Sequence, residues 1–177
     1  GYDEIQSGVE KSNYEYEEVE DDDSPKFTIL KERVRILNRL EKMAENSNDD
    51  LVIIVGRFGI LPLFRSGTIT SINEASERGV RVRILAQLDK RTIRFYRDIH
   101  ESIEVRHSDD LDAQGAVRDQ NEVIQYLSSD ENPVGKGKND AALVIESSQF
   151  AENQRNLIEA IWEESLPSVS YTHLRAH

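Results

Sequence analysis

Apolar residues change rhythm several times along the chain, and each change marks an element. Leu51-Val-Ile-Ile-Val55 is an uninterrupted, largely β-branched run that stops at Gly56, the pattern of a strand buried on both faces. The rhythm then turns helical. Ile69, Ile72 and Ala75 recur at helical spacing, and Gly79 follows where a helix end takes a left-handed residue. A second strand, Val80–Leu85, comes at once. Two strands joined by a helical crossover lie parallel and right-handed, so a βαβ unit is predicted. An amphipathic helix over 90–101, with Ile93, Tyr96 and Ile99 inward, leads to Ile103-Glu-Val-Arg-His107. There Ile103, Val105 and His107 alternate onto one face. The stretch from Leu51 to His107 thus reads strand, helix, strand, helix, strand.

Flanking patterns are shorter. Upstream, Ser24-Pro25 has the form of an N-cap followed by proline at the first helical position. Phe27, Leu30, Val34 and Leu37 follow at helical intervals, and Leu40, Met43 and Ala44 continue the stripe. These spacings predict one long helix over 24–47, which either covers the sheet of its own domain or forms a dimer interface. Downstream, Ala116–Arg118 and Glu122–Leu127 form a hairpin around Asp119-Gln120-Asn121. The polar stretch 128–139 is a surface loop. Its Gly135-Lys-Gly-Lys138 lacks the preceding strand and the following Ser or Thr of a phosphate-binding loop. Ala141–Ile145 is the last strand, and a helix over 149–164 presents Phe150, Leu157, Ile158, Ile161 and Trp162 as its docking face.

Composition narrows the function classes. With 177 residues the chain suits one domain and a modest extra element. Its net charge of -12 repels nucleic acid and anionic membranes, so this piece is not expected to grip DNA. Cysteine is absent, which removes disulfides, thiolate chemistry and cysteine-based zinc sites, and a cytoplasmic location is expected. No apolar run approaches the roughly 20 residues that span a bilayer, and the acidic N-terminal stretch, without an apolar core segment, does not read as a signal peptide. Residues 1–23 are acidic and read as a disordered linker. The chain starts at Gly1 rather than methionine, which reads as a fragment whose upstream part is missing. Val169-Ser-Tyr-Thr-His-Leu-Arg-Ala-His177 resembles the translated read-through of a sequencing-library adapter, and 168–177 is set aside on that ground.

Ligands of open α/β sheets bind beyond the carboxyl ends of parallel strands. Arg57 after the first strand is therefore a candidate, while Phe58, Ile60, Leu61 and Phe64 around it read as core. Arg106 and His107 end the third strand, and Asp119 sits at the hairpin. The acidic Ser108-Asp-Asp-Leu-Asp112 reads as a solvated loop, and no metal is expected.

The order of these pieces resembles a known family. A helix carrying Phe27-Thr-Ile-Leu, a βαβ unit with Arg78-Gly-Val-Arg-Val-Arg-Ile84, Glu104-Val-Arg-His107, a hairpin with Asp119, and Ala142-Leu-Val with Phe150 and Ile161-Trp162-Glu163 resemble the C-terminal effector region of archaeal TrmB-type transcriptional regulators. That region, matched over about residues 25–167, is similar to the phospholipase D fold. The resemblance implies an α/β fold: a phospholipase D-like mixed sheet flanked by helices over 50–167, preceded by a long N-terminal helix. It also implies a small-molecule effector such as a sugar, a homodimer, and DNA contact through an upstream winged helix. The phospholipase D motif is His-x-Lys-x4-Asp. Counting back from Asp119, the histidine position holds Asp112 and the lysine position Gln114. A carboxylate repels phosphate and glutamine carries no charge to bind it. The expectation is therefore a chain that is not an enzyme, without cofactor, whose effector site draws on Arg57, Arg106, His107 and Asp119. The alternatives are a phospholipase D-type phosphodiesterase with a divergent site and a protein interaction module.

Overall fold

In a computed structural model, the protein is described over residues 24–109 and 111–168. The acidic stretch 1–23 and the adapter-like 169–177 lie outside the described residues. The strands are β1 (Lys26–Lys31), β2 (Asp50–Val55), β3 (Arg81–Ala86), β4 (Glu104–His107), β5 (Gly115–Arg118), β6 (Glu122–Ser128), β7 (Ala141–Glu146) and the short β8 (Leu166–Pro167). They form one mixed sheet in the order β1-β7-β6-β5-β2-β3-β4-β8. The helices are α1 (Arg33–Asn46), α2 (Ile60–Arg65), α3 (Thr68–Glu77) and α4 (Ser148–Glu164).

The predicted parallel core is present, with β2 pairing β3 and β3 pairing β4 in parallel. Burial on both faces explains the unbroken apolar run of β2. Leu51, Ile53 and Val55 meet α1, α2 and α3, where Ile36, Leu40, Met43, Leu63 and Ile72 complete one core. Val52 points the other way, into a smaller core with Leu85, Val117, Val123 and the α4 residues Ala151, Ile158 and Trp162. Gly79 has φ 98°, the left-handed conformation expected after α3, and Val80 N–H then donates to the Ala75 carbonyl at 3.1 Å.

Three expectations are corrected. The long helix over 24–47 does not exist: its first part is β1, which pairs antiparallel with β7, Phe27 opposite Ile145 and Leu30 opposite Ala142. Phe27-Thr-Ile-Leu30 satisfies both a helical stripe and a β-prone run, and only β7, distant in sequence, decides between them. Glu32, with φ 77°, makes the sharp turn from β1 into α1. Second, the helix over 90–101 is a 3₁₀ turn over Ile93–Asp98. Third, α4 docks by Ala151, Ile158 and Trp162, while Leu157 is 62% exposed.

Candidate functional site

Strand direction decides which residues meet. β5 runs antiparallel to β2, with Gly115 opposite Ile54, so the residues just before β5 lie beside the carboxyl end of β2. β6 reverses again and brings its own end, Tyr126 to Ser128, to that same edge, with a register irregularity between Tyr126 and Ser128. β7 starts there and β1 ends there, since Ala141 pairs with both Ser128 and Lys31. The start of α1 follows.

A cleft of about 540 Å³ opens at this edge. Its floor is Gly56, Arg57, Phe58 and Gly59 after β2, Gln87 after β3, and Asp112 and Gln114 before β5. Tyr126, Leu127 and the loop from Ser128 to Pro133 form the opposite wall, and Arg33 and Asp140 close the end. Gln114 is seated by the two glycines: a Cβ at Gly59 would come within 2.5 Å of its Oε1, and one at Gly56 within 3.1 Å of its Cδ. The side chains of Gln87, Asp112 and Gln114 take no hydrogen bond from another described residue. Polar groups grouped at a concave strand end and left open to solvent can serve a ligand. Burial and the nearby Asp140 carboxylate push the Tyr126 phenol well above its ordinary pKa, so it stays protonated and can donate.

The structure does not bring the four sequence-derived residues together. Arg57 lines the cleft, with its guanidinium 3.7 Å from Asp89. Asp119 stands at the opposite edge of the sheet, buried beside the start of β2, where its carboxylate accepts the backbone N–H groups of Asn48 (3.1 Å), Asp49 (2.8 Å) and Asp50 (2.9 Å). Burial raises its carboxyl pKa, but those donors and the Arg118 charge outweigh burial and hold it below the ordinary value. Arg106 points to the α4 face, stacked on the Trp162 ring at 4.6 Å and donating to the Trp162 carbonyl at 2.9 Å. His107 is buried. Its Nδ1 accepts from Leu88 N–H at 3.0 Å, which assigns the proton to Nε2, 2.8 Å from Asp109.

Sequence reasoning missed Asp112, Gln114, Gln87 and Tyr126 as lining groups. Counting back from Asp119 reaches Asp112 and Gln114 only as positions where a motif fails, not as groups with chemistry of their own. Among the described residues no group of three His, Asp or Glu side chains could hold a metal ion.

No protein-family model matches the chain, and no curated relative does. Solved structures share its fold. TrmBL2, an archaeal chromatin protein with a novel mode of DNA binding, superposes with a TM-score of 0.60 at 16% identity, over 93% of this chain. The chain spans 66% of that protein. Nuc of Salmonella typhimurium, a phospholipase D family member, gives a TM-score of 0.66 at 14% identity, over 81% of this chain and 98% of Nuc. NucT from Helicobacter pylori gives 0.65 at 14% identity, over 81% and 99%. The phospholipase D-like mixed sheet flanked by helices is therefore present. The expectation that the chain is not an enzyme is overturned, because Nuc and NucT, both of this fold, are enzymes. Asp112 and Gln114 argue against one motif, and that is too narrow a ground for excluding catalysis.

Proposed function

We propose that the chain is the effector-sensing part of a cytoplasmic transcriptional regulator, and that the cleft at the ends of β2, β3 and β6 binds a small, neutral, polyhydroxylated molecule of the sugar class. One observation carries this reading: Gln87, Asp112 and Gln114 line the cleft together, and among the described residues nothing hydrogen-bonds to their side chains. An amide both donates and accepts, and a carboxylate accepts from two neighbouring hydroxyls at once. Phe58, with the Arg91 guanidinium over its ring, and Tyr126 also line the cleft and supply aromatic surface for the apolar side of a sugar ring. Likeness to TrmBL2 supports the regulatory context. In a homodimer, an effector that prefers one arrangement of two such domains would shift the population of that arrangement, and DNA would be contacted by a domain outside this acidic chain. The α1 stripe of Ile36, Leu40 and Met43 is spent on its own sheet, so a dimer contact would use another surface.

Calorimetric titration of the full chain with mono- and disaccharides tests the reading. At least one should bind, and Gln114→Ala should weaken it about tenfold, the effect of losing one or two hydrogen bonds. If no saccharide binds, or Gln114→Ala binds as well as the parent, the reading fails. A second reading, favoured by the likeness to Nuc and NucT, is a phosphodiesterase with a divergent site. Hydrolysis of bis(p-nitrophenyl) phosphate that disappears in Asp112→Ala would establish it in place of sensing.

A further inference from the structure

Arg33, the first residue of α1, is buried, and a single loop encloses its guanidinium. Nε donates to Asp140 Oδ2 at 2.8 Å, Nη1 to the carbonyls of Asn132 (3.0 Å) and Gly135 (2.9 Å), and Nη2 to the carbonyl of Asp130 (3.1 Å). The loop closes on itself at the same point, where Asp130 N–H donates to Asp140 Oδ1 at 2.6 Å. Gly137, with φ 59°, presses against the side chain so closely that a Cβ would come within 2.6 Å of Arg33 Nε.

The two sides of this knot belong to different parts of the molecule. On one side, Ser129, Asp130, Glu131 and Pro133 of the loop line the cleft. On the other, Arg33 N–H donates to the Gly137 carbonyl at 3.1 Å, and Glu32 N–H, at the turn between β1 and α1, donates to the Asp140 carbonyl at 2.8 Å. Everything upstream of α1 enters through that turn. A planar guanidinium can hold three carbonyls and a carboxylate in one fixed arrangement, which an ammonium on a flexible stem cannot.

We propose that Arg33 is a positioning residue that transmits occupancy of the cleft to the β1–α1 junction. A ligand that moves 129–133 moves the carbonyls holding the guanidinium, and with them the first turn of α1. The inference rests on the reading of the cleft as a ligand site and supplies the route by which that site acts on the rest of the chain.

The sequence contains no cysteine, so Ser129→Cys provides a single attachment point on the exposed cleft wall. A maleimide carrying a glucosyl group, attached there in the full chain, is the probe. Amide hydrogen exchange is then read over residues 32–37 with and without the adduct. The adduct should change exchange there by about fivefold or more, the lower end of coupling between sites. Adding Arg33→Lys should reduce the change to less than about twofold, since the ammonium cannot hold all the loop carbonyls. Gly137→Ala, which leaves Arg33 in place and displaces the loop from it, should do the same and serves alone if Arg33→Lys does not fold. An adduct effect of equal size in all three backgrounds overturns the proposal, as does no effect in Ser129→Cys itself. The probe is tethered, so affinity for free sugar does not enter. Failed saccharide titration alongside intact coupling would break the ligand reading and leave the role of Arg33 standing.

Discussion

The two edges of the sheet both carry polar groups and use them differently. At the edge where β2 begins, charges pair within the protein, although the buried Arg83 guanidinium, Arg155 Nε and Asp50 Oδ1 are held by ion pairing without a well-formed hydrogen bond among the described residues. Asp119 caps three backbone N–H groups, and its own carbonyl accepts from Arg155. Arg118 and Arg39 both bond to Glu122, and Arg83, almost wholly buried, forms a close ion pair with Glu159 at 2.6 Å under the Trp162 ring. At the edge where β2 ends, the side chains of Gln87, Asp112 and Gln114 border an open cleft and take no hydrogen bond from another described residue. A polar group whose bonds are filled contributes to stability, and removing its partner is costly. One whose bonds are open contributes little to stability and is available for binding. The hairpin of β5 and β6 spans both edges, so a single motif read along the chain mixes a structural residue with lining residues.

The contrast can be broken most forcefully at Asp119. Asp119→Ala should lower unfolding free energy by about 3 kcal/mol, because it strips a charged acceptor from buried donors. Urea denaturation measures this, and a loss below about 1 kcal/mol would mean that the cap is dispensable. The same residue should shape the acid limb. Its carboxyl is held below the ordinary value in the fold, so its stabilisation is complete above the ordinary carboxylate pKa and drains away as pH falls through the folded value. Between about pH 5 and pH 3, Asp119→Asn should therefore lose less stability than the parent. A parallel fall in both would assign the acid limb to other carboxylates, among them Glu159, which its bond to Arg83 lowers.

At the cleft, effects on stability should be smaller and effects on binding larger. Gly59→Ala drives a methyl group toward Gln114 Oε1 and should cost about 1 kcal/mol, while displacing the amide from the cleft floor. Saccharide affinity should fall with it, and unchanged affinity would remove Gln114 from the site. Gln87→Ala and Gln114→Ala should each change stability by no more than about 0.5 kcal/mol, since neither side chain is hydrogen-bonded to another described residue. A thermal melt checks this, and a larger loss would show that the amides have structural bonds after all.

Much of the frame was legible from one sequence because its signals are local. The β2 run, the three-residue rhythm of α3 and the glycine after it, and the Asp119 hairpin each carry their meaning within a few residues. β1 was not legible in this way. Phe27 and Leu30 fit a helical stripe as well as a strand, and Phe27 remains 67% exposed, so burial leaves no mark on it. Nor could the polarity of Arg106 or His107 reveal its target: a ring stack on Trp162 and a bond from Leu88 N–H depend on where α4 ends and how the chain turns after β3.

What the sequence by itself determined is the parallel core over Leu51–His107 and the identity of the residues at the motif positions, Asp112, Gln114 and Asp119. Period and residue type along a segment are set by covalent neighbours, and no folding is needed to read them. Only the tertiary structure decided that Asp112 and Gln114 border a cleft while Asp119 lies at the far edge, because β5 runs opposite to β2 and carries its two ends to opposite edges of the sheet. It also decided that Arg33 belongs to the wall of that cleft. Its partners, Asp130 to Asp140, come from the other end of the domain, and a contact of such long range leaves no periodic trace in the chain.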